Sequence, residues 1–387
     1  MDRHGEHSSI ASIRLRIVSA LAAMLSIAFV PAYLSSQSNP KFDITLQIDY
    51  SSAEQMLGFF SRQVYNTDRV ADARGNKIAA ATSLLLGRTD RSPQDFAQQL
   101  ELVRDDYNTN DDLYGLKAAR LHVGQLKKLL TETQKRQLDR RVVATVQTYF
   151  PSSADIQGTV PVYVVVMGNE RAAAFVRRVV WRDGWPVFVN DNEGEQVIVL
   201  NLTRMLEFSS DVNAQFIQTL GTLAHESFHA IFGLYQQNSQ TWREYHHRMG
   251  PFWPLAELVQ NEGIAYLLSL QLQIGGEVPA NSWFDATGCA ITSFNRASKE
   301  LIAPSITSQR AKELILNANM SGSFEANYGA TAGQRMAYEI DTRFGRQALA
   351  NTIIGGVKEF FGMYDSLCMQ NTNLPRVDAE VMKVLEQ

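Results

Sequence analysis

The chain has 387 residues, of which 45% are hydrophobic and 20% are charged, and its formal net charge is −4. This composition is that of an ordinary globular protein and excludes the disordered and fibrous classes. The slightly negative charge, without a long run of Lys or Arg, also excludes nucleic acid as a natural partner.

The amino-terminal segment 1–38 has the pattern of a secretory signal peptide. Arg14 and Arg16 precede a run from Ile17 to Val30 that is apolar apart from two serines, and small and polar residues follow it. This run is shorter than the roughly 20 residues of a comfortable membrane span. We therefore expect an extracytoplasmic protein, periplasmic or secreted. The alternative is an uncleaved N-terminal anchor, which would be the only membrane attachment.

Residues 39–150 are predicted to form an N-terminal helical subdomain that begins with one strand. The stretch from Asp43 to Asp49 alternates in the manner of a strand. Ser51 to Glu54 then offers a capping box for a helix. Further helical patterns follow, separated by polar or proline-containing breaks such as Thr131–Thr133; they cover residues 76–87, 93–105, 111–130 and 134–149.

Residues 151–387 are predicted to combine a small sheet with more helices. Strand patterns cover Val160–Met167, Val187–Val189 and Gln196–Leu202. A helix capped by Asp211 follows, and a second helix runs from Leu255 to Leu272. Later helical patterns cover residues 308–317, 331–343, 346–361 and 376–386. The predicted fold class is therefore α+β and predominantly α-helical, either as one compact unit or as a helical subdomain docked onto a catalytic half.

The segment His225-Glu226-Ser227-Phe228-His229 has the spacing of a catalytic metal site. Two histidines four residues apart leave the same face of a helix, so both imidazoles can reach one zinc ion. Glu226 points off that line, where it can take a proton from an activated water molecule. Apolar flanks from Phe216 to Phe232 place this polar stripe inside a largely buried helix. This context favours zinc ligands over two hydrogen-bonded core histidines.

A catalytic zinc ion usually has three protein ligands, so a third must come from elsewhere in the chain. Glu262 lies in a later apolar helix, where a charge is costly to bury unless it is paired or bound to a metal. The neighbouring Gly263 indicates close approach of another backbone. The alternative is that Glu262 is a carboxylate on a helix surface. His246 and His247 are competing ligands, but they fall in a segment that has the pattern of an exposed loop.

Only two cysteines are present, Cys289 and Cys368, and both are distant in sequence from the histidine motif. In an oxidising compartment they could form one disulfide. The equally acceptable alternative is two small buried hydrophobic residues.

The two helical motifs resemble those of gluzincin-type zinc metallopeptidases, in which two histidines and a glutamate from a following helix bind zinc. The stretch from Asn261 to Ala265 is similar to a family described only as putative zinc-dependent peptidases. Segments 48–53 and 328–340 are also similar to that family. The resemblance implies a zincin-like core, one zinc ion per chain on His225, His229 and Glu262, and Glu226 as the general base.

One position departs from the gluzincin pattern. The better-known members carry an acidic residue four positions after the glutamate ligand, where it supports a zinc-bound histidine, and this chain has Tyr266 there. Either another carboxylate makes that contact, or the site is tuned differently. Asn261 could orient Glu262 or simply begin a polar helix face.

Two further assignments concern the substrate. Tyr328, in a polar stretch just before a helix, is the predicted phenol that donates to the oxyanion of the reaction. Val197–Asn201 is the candidate edge strand that could pair with an extended peptide.

The leading hypothesis is thus a zinc-dependent metallopeptidase that acts on peptide or protein substrates. The alternatives are a non-catalytic extracytoplasmic domain with a structural zinc site, and a zinc hydrolase of a non-peptide amide. The presence of Glu226 favours catalysis, because a structural zinc site has no use for a base and prefers four protein ligands.

Overall fold

The computed structural model describes residues 41–63, 66–87, 91–104, 112–168, 173–189, 193–319 and 327–387. The segment 1–38 lies outside these residues, so its role as a signal peptide or anchor stays a prediction. Residues 40–387 form one compact unit. No helix in the described part of the chain combines the length and the apolarity needed to cross a bilayer.

A mixed five-stranded sheet with the order β1-β2-β5-β3-β4 forms the centre of the described fold. Its strands are β1 (Phe42–Asp49), β2 (Ile156–Val165), β3 (Ala174–Arg182), β4 (Trp185–Phe188) and β5 (Glu195–Asn201). β1, β2 and β5 are parallel, whereas β3 runs antiparallel to β5 and to β4. The three predicted strand regions near residues 160, 187 and 196 are confirmed. β3 was not predicted.

Helices account for most of the remaining chain, which confirms the predominantly helical α+β fold class. They are α1 (Ser51–Phe60), α2 (Thr67–Asp72), α3 (Arg74–Gly87), α4 (Pro93–Arg104), α5 (Leu116–Leu121), α6 (Val123–Lys135), α7 (Leu138–Gln147), α8 (Leu202–Met205), α9 (Val212–Asn238), α10 (Gln240–His246), α11 (Phe252–Ile274), α12 (Asn281–Ile302), α13 (Ser308–Asn317), α14 (Tyr328–Phe344), α15 (Arg346–Gln370) and α16 (Ala379–Leu385).

Three local predictions about helices are wrong. The capping box at Ser51 does not form, because α1 starts after Tyr50 and the Ser51 N–H donates instead to Asp49. The expected break at Thr131–Thr133 lies inside α6, where the Thr133 hydroxyl donates to the Leu130 carbonyl. The segment expected as an exposed loop around His246 is mostly α10, because the side chain of Trp242 is fully buried and anchors it.

Helices cover both faces of the sheet. On one face Gly75 of α3 lies against Tyr163 of β2. On the other face Leu234 of α9 lies against Gly158 of the same strand. Residues of opposite parity along a strand point to opposite faces, so α3 and α9 enclose the sheet between them. The cysteines are not bridged: Cys368 is buried and Cys289 is exposed.

Candidate metal centre

The helix α9 carries the histidine motif and is buried along most of its length. The predicted cap forms, since Asp211 accepts a hydrogen bond from the Ala214 N–H at 2.8 Å. Apolar side chains such as Phe216, Leu223 and Phe228 are fully buried and fix the helix against the sheet and its neighbours. This packing leaves His225 and His229, one turn apart, facing α11.

The structure brings His225, His229 and Glu262 together. The two histidine Nε2 atoms are 3.0 Å apart. Glu262 Oε2 lies 3.4 Å from His225 Nε2 and 3.2 Å from His229 Nε2. The three side chains are between 13% and 15% exposed, so their donor atoms converge in a nearly buried place. In the described part of the chain they form a cluster of metal-binding groups.

These separations fit a zinc ion. Ligand atoms that each lie about 2.0–2.2 Å from a tetrahedral zinc ion are about 3.3–3.5 Å from one another. The measured separations are within a few tenths of an ångström of that range. Two imidazoles and one carboxylate are also the donor set of a known class of catalytic zinc site, in which the fourth position is left to water.

Glu262 reaches the histidines because α11 crosses α14 at very short range. A Cβ atom added to Gly263 would lie 2.3 Å from the carbonyl carbon of Gly333. A Cβ atom added to Gly333 would lie 1.8 Å from the carbonyl oxygen of Val259. The predicted close approach of a backbone at Gly263 is therefore confirmed. The crossing holds the turn of α11 that carries Glu262 in place beside α9.

Glu262 and His229 each stabilise the charged form of the other. Burial alone lowers the pKa of the His229 imidazole, but the carboxylate of Glu262 and the hydrogen bonds to Glu262 and Asn261 outweigh burial and raise the pKa to about 9. Burial raises the pKa of Glu262, but both histidines counteract this effect and hold that pKa well below its usual range. The carboxylate is thus ionised at neutral pH, as a metal ligand must be.

Three contacts orient the candidate ligands. The Asn261 Oδ1 atom is 2.9 Å from His229 Nδ1, so an amide takes the supporting place that an acidic residue has in better-known gluzincins. Asn319 donates a hydrogen bond to Oε1 of Glu262. The ring of Tyr266 packs edge-to-face against His225, with centroids 4.5 Å apart. Asn261 therefore orients His229, a role that neither earlier interpretation of this residue included.

Glu226 lies beside the cluster and lines a cavity of about 360 Å³ together with His225 and Tyr266. Burial lowers the pKa of Arg177, and the charge of Glu226 partly opposes that shift. The same charge adds to the rise in the pKa values of His229 and Tyr266. A carboxylate in this place can exchange a proton with a water molecule held next to the cluster.

An open edge of the sheet runs past this cavity, but it belongs to β3. β5 lies between β2 and β3, so the prediction of Val197–Asn201 as an edge strand is wrong. β4 covers β3 only from Arg178 onward. The Val189 N–H donates to the Arg178 carbonyl, and β4 then pairs with residues Val179 to Arg182. On that side Ala174–Arg177 has no strand neighbour within the described ranges. Ala174 also lines the cavity that contains Glu226.

The structure places Tyr328 away from this cavity. Its side chain is buried, and its hydroxyl donates to the Leu314 carbonyl at 2.8 Å, in the packing of α14 against α13. The predicted oxyanion role does not fit this geometry. Tyr266 is the phenol that lines the cavity, and burial raises its pKa to about 12, so its hydroxyl keeps its proton at neutral pH.

His246, one of the two competing ligands, forms a separate pair with Glu257. His246 Nε2 lies 3.2 Å from Glu257 Oε2, and Gln236 also donates to Glu257. Neither His246 nor Glu257 belongs to the cluster of His225, His229 and Glu262.

Arg177 and Asn319 were not predicted as site residues from the sequence, and Tyr266 was noted only as a departure from the gluzincin pattern. Arg177 stands in the strand that was missed, and its guanidinium donates to the Val176 carbonyl at the open edge. Asn319 follows the end of α13 and gives no signal of its own. The one available sequence signal for Tyr266 was its position four residues after Glu262, which places both side chains on one face of the helix.

Comparison with known proteins identifies a family that this chain matches. A family model described as "Putative zinc dependent peptidase (DUF5700)" matches residues 67–373 of this chain. No curated protein matches the chain. No solved structure matches it either.

Proposed function

The chain belongs to the family described as "Putative zinc dependent peptidase (DUF5700)", and we propose that it is a gluzincin-type metallopeptidase that hydrolyses peptide bonds. In this proposal one zinc ion is held by His225, His229 and Glu262, and Glu226 is the general base.

The main support for the proposal is the cluster of three candidate ligands. The carboxylate of Glu226 lies beside this cluster without belonging to it. A structural zinc site closes with four protein ligands, whereas a catalytic site keeps one position for water or substrate. The described residues supply three donors, and the side next to Glu226 opens into the cavity of about 360 Å³. This arrangement supports a hydrolase over the non-catalytic alternative.

A bound zinc ion would supply an activated water molecule and polarise the carbonyl group of the scissile bond. The carboxylate of Glu226 takes a proton from that water and delivers it to the nitrogen of the leaving amine. In this proposal the hydroxyl of Tyr266, which lines the same cavity, donates to the carbonyl oxygen as negative charge develops on it. Asn261 and Asn319 hold His229 and Glu262 in their orientations throughout.

The open edge of β3 supports a peptide as the substrate. The Asn201 N–H donates to the Ala173 carbonyl, so the backbone groups of Ala174 and Val176 face away from β5. An extended peptide can add to these groups as a further strand, and it would replace the Arg177 guanidinium as the partner of the Val176 carbonyl. This contact recognises a backbone rather than a particular side chain, which favours a peptide bond over a non-peptide amide as the bond that is cleaved.

We also propose an extracytoplasmic location, on the pattern of residues 1–38. The substrate would then be a peptide or protein outside the cytoplasm, and neither nucleic acid nor a membrane would be required as a partner.

The test is hydrolysis of a mixed peptide library, read by mass spectrometry, with metal content measured on the same sample. We expect about one zinc ion per chain, cleavage that a chelator abolishes and zinc restores, and no cleavage by a Glu226→Gln variant that still binds zinc. Full zinc occupancy in the wild-type protein without cleavage of any peptide would overturn the peptidase proposal and favour the non-catalytic alternative.

A further inference from the structure

A second cavity lies on the other side of the metal cluster, next to His229. Its volume is about 720 Å³, and it is bounded by β3, β5, α9, α10 and α11. Asn261, which orients His229, also lines it, so this cavity adjoins the candidate catalytic centre directly. The proposed reaction does not use this cavity.

The cavity has an excess of positive charge. Arg178 and Arg243 both line it. Within the described ranges each donates to a single backbone carbonyl at 3.4 Å, that of Gly194 for Arg178 and that of Gln237 for Arg243. Neither arginine forms a salt bridge among the residues that the structure describes. The one acidic residue in the lining, Glu257, accepts hydrogen bonds from Gln236 and pairs with His246. Two guanidinium groups therefore line the cavity, and neither has a carboxylate partner among the described residues.

Arg178 also has a defined place relative to the open edge. Alternate residues of a strand share a face, so Ala174, Val176 and Arg178 lie on the face of β3 that α9 covers. Ala174 lines the first cavity and Arg178 lines the second. At about 3.3 Å per residue these two positions are about 13 Å apart. An extended peptide of about four residues along the open stretch Ala174–Arg177 therefore starts at the first cavity and ends beside Arg178, whose side chain lines the second.

We propose that the cavity of Arg178 and Arg243 binds a carboxylate of the substrate, so that the enzyme prefers acidic peptides. This inference rests on the proposed peptidase function and deepens it. Arginine suits the role, because its planar group of donors matches a carboxylate and stays charged at every physiological pH. The carboxylate is either the side chain of an Asp or Glu near the scissile bond or the C-terminus of the peptide.

The test is a set of matched fluorogenic peptides, cleaved by the full-length zinc-loaded protein. One arm exchanges Glu for Gln at each position around the scissile bond, and the other arm compares a free C-terminus with a C-terminal amide. We expect kcat/KM to be about threefold to tenfold higher for the acidic peptide in one arm, in keeping with partly exposed charges. The preference should shrink as salt is raised from about 0.05 to 0.5 M.

Substitutions of the two arginines test whether the preference for acidic peptides arises from this cavity. Arg178→Gln and Arg243→Gln should each reduce the ratio of acidic to neutral kcat/KM to about twofold or less, and Arg178→Lys should restore part of it. Arg182→Gln is the matched control, because Arg182 is an exposed arginine on the same strand that lines a different cavity. That variant should keep both the ratio and the activity.

The two proposals fail in different ways. Cleavage without an acidic preference in either arm would overturn the inference and leave the peptidase function standing. A preference that survives in both Arg178→Gln and Arg243→Gln would also overturn it. A zinc-loaded protein that cleaves no peptide would remove the proposed function and this inference together.

Discussion

The substitution Gly263→Ala tests whether the crossing of α11 and α14 positions the metal centre. The added methyl group would lie 2.3 Å from the carbonyl carbon of Gly333, whereas ordinary contacts start near 3.4 Å. The two helices must therefore separate by about 1 Å. Overpacking of this kind typically costs about 1–3 kcal/mol, and contact with backbone atoms puts this case at the upper end. Alanine returns up to about 1 kcal/mol through its higher helix propensity.

The net expectation is that Gly263→Ala lowers the free energy of unfolding by about 2 kcal/mol. Because Glu262 is the adjacent residue, the same displacement should weaken zinc binding by about tenfold or more. The assays are urea denaturation followed by circular dichroism and zinc titration against a competing chelator.

The matched control is Gly288→Ala in α12, where an added Cβ meets nothing within 4 Å. This control should leave zinc affinity unchanged and stability equal or up to about 1 kcal/mol higher. If Gly263→Ala proves as stable as Gly288→Ala and binds zinc as tightly as the wild type, the close crossing does not position the centre.

Four other outcomes follow from the site. Glu226→Gln should keep zinc at about one ion per chain and lower kcat by about 10²–10⁴-fold, the usual range for a general base. Asn261→Ala should weaken zinc affinity by about 10–100-fold, because His229 loses the partner that orients it. Tyr266→Phe should keep zinc and lower kcat by about 10²–10³-fold, while Tyr328→Phe leaves kcat nearly unchanged. In the metal-free protein the pKa of His229 is raised from 6.5 to about 9, so its contribution to stability is present below pH 6.5 and is lost as the pH rises through 9.

Each of these predictions has a readout that distinguishes the specific effect from a general loss of folding. Zinc analysis and steady-state kinetics on the same samples distinguish loss of the base from loss of the metal. A normal kcat for Tyr266→Phe together with a low one for Tyr328→Phe would reverse the assignment of the phenol. The pH effect is read by chemical denaturation with and without chelator. Equal slopes in both conditions between pH 6.5 and 9 would contradict the pairing of His229 with Glu262.

The part of the site that depends on local geometry was predictable from the sequence. His225 and His229 face one side because a helix repeats every 3.6 residues, and this is true wherever the helix packs. Glu262 was identifiable because a carboxylate inside an apolar helix needs a compensating partner. Gly263 indicated the backbone crossing for an equally general reason, since a glycine costs helix stability unless space requires it.

The rest depended on contacts between distant segments. β3 was missed because Arg177 and Arg178 interrupt its apolar pattern, and the open edge was therefore assigned to the wrong strand. Strand order depends on pairing across the sheet. The local sequence of Val197–Asn201 does not indicate that β3 pairs with this strand. Tyr328 was chosen by its position before a helix, but its hydroxyl serves the packing against Leu314. Phenols occur in cores and in active sites alike, and only the fold separates the two.

The most direct test of the central claim is a crystal structure of the zinc-loaded protein with an anomalous difference map at the zinc edge. We predict one peak per chain, about 2.0–2.2 Å from His225 Nε2, His229 Nε2 and a carboxylate oxygen of Glu262. A peak at any other site, or a Glu262 carboxylate turned away from a zinc ion bound by the two histidines, would contradict the account.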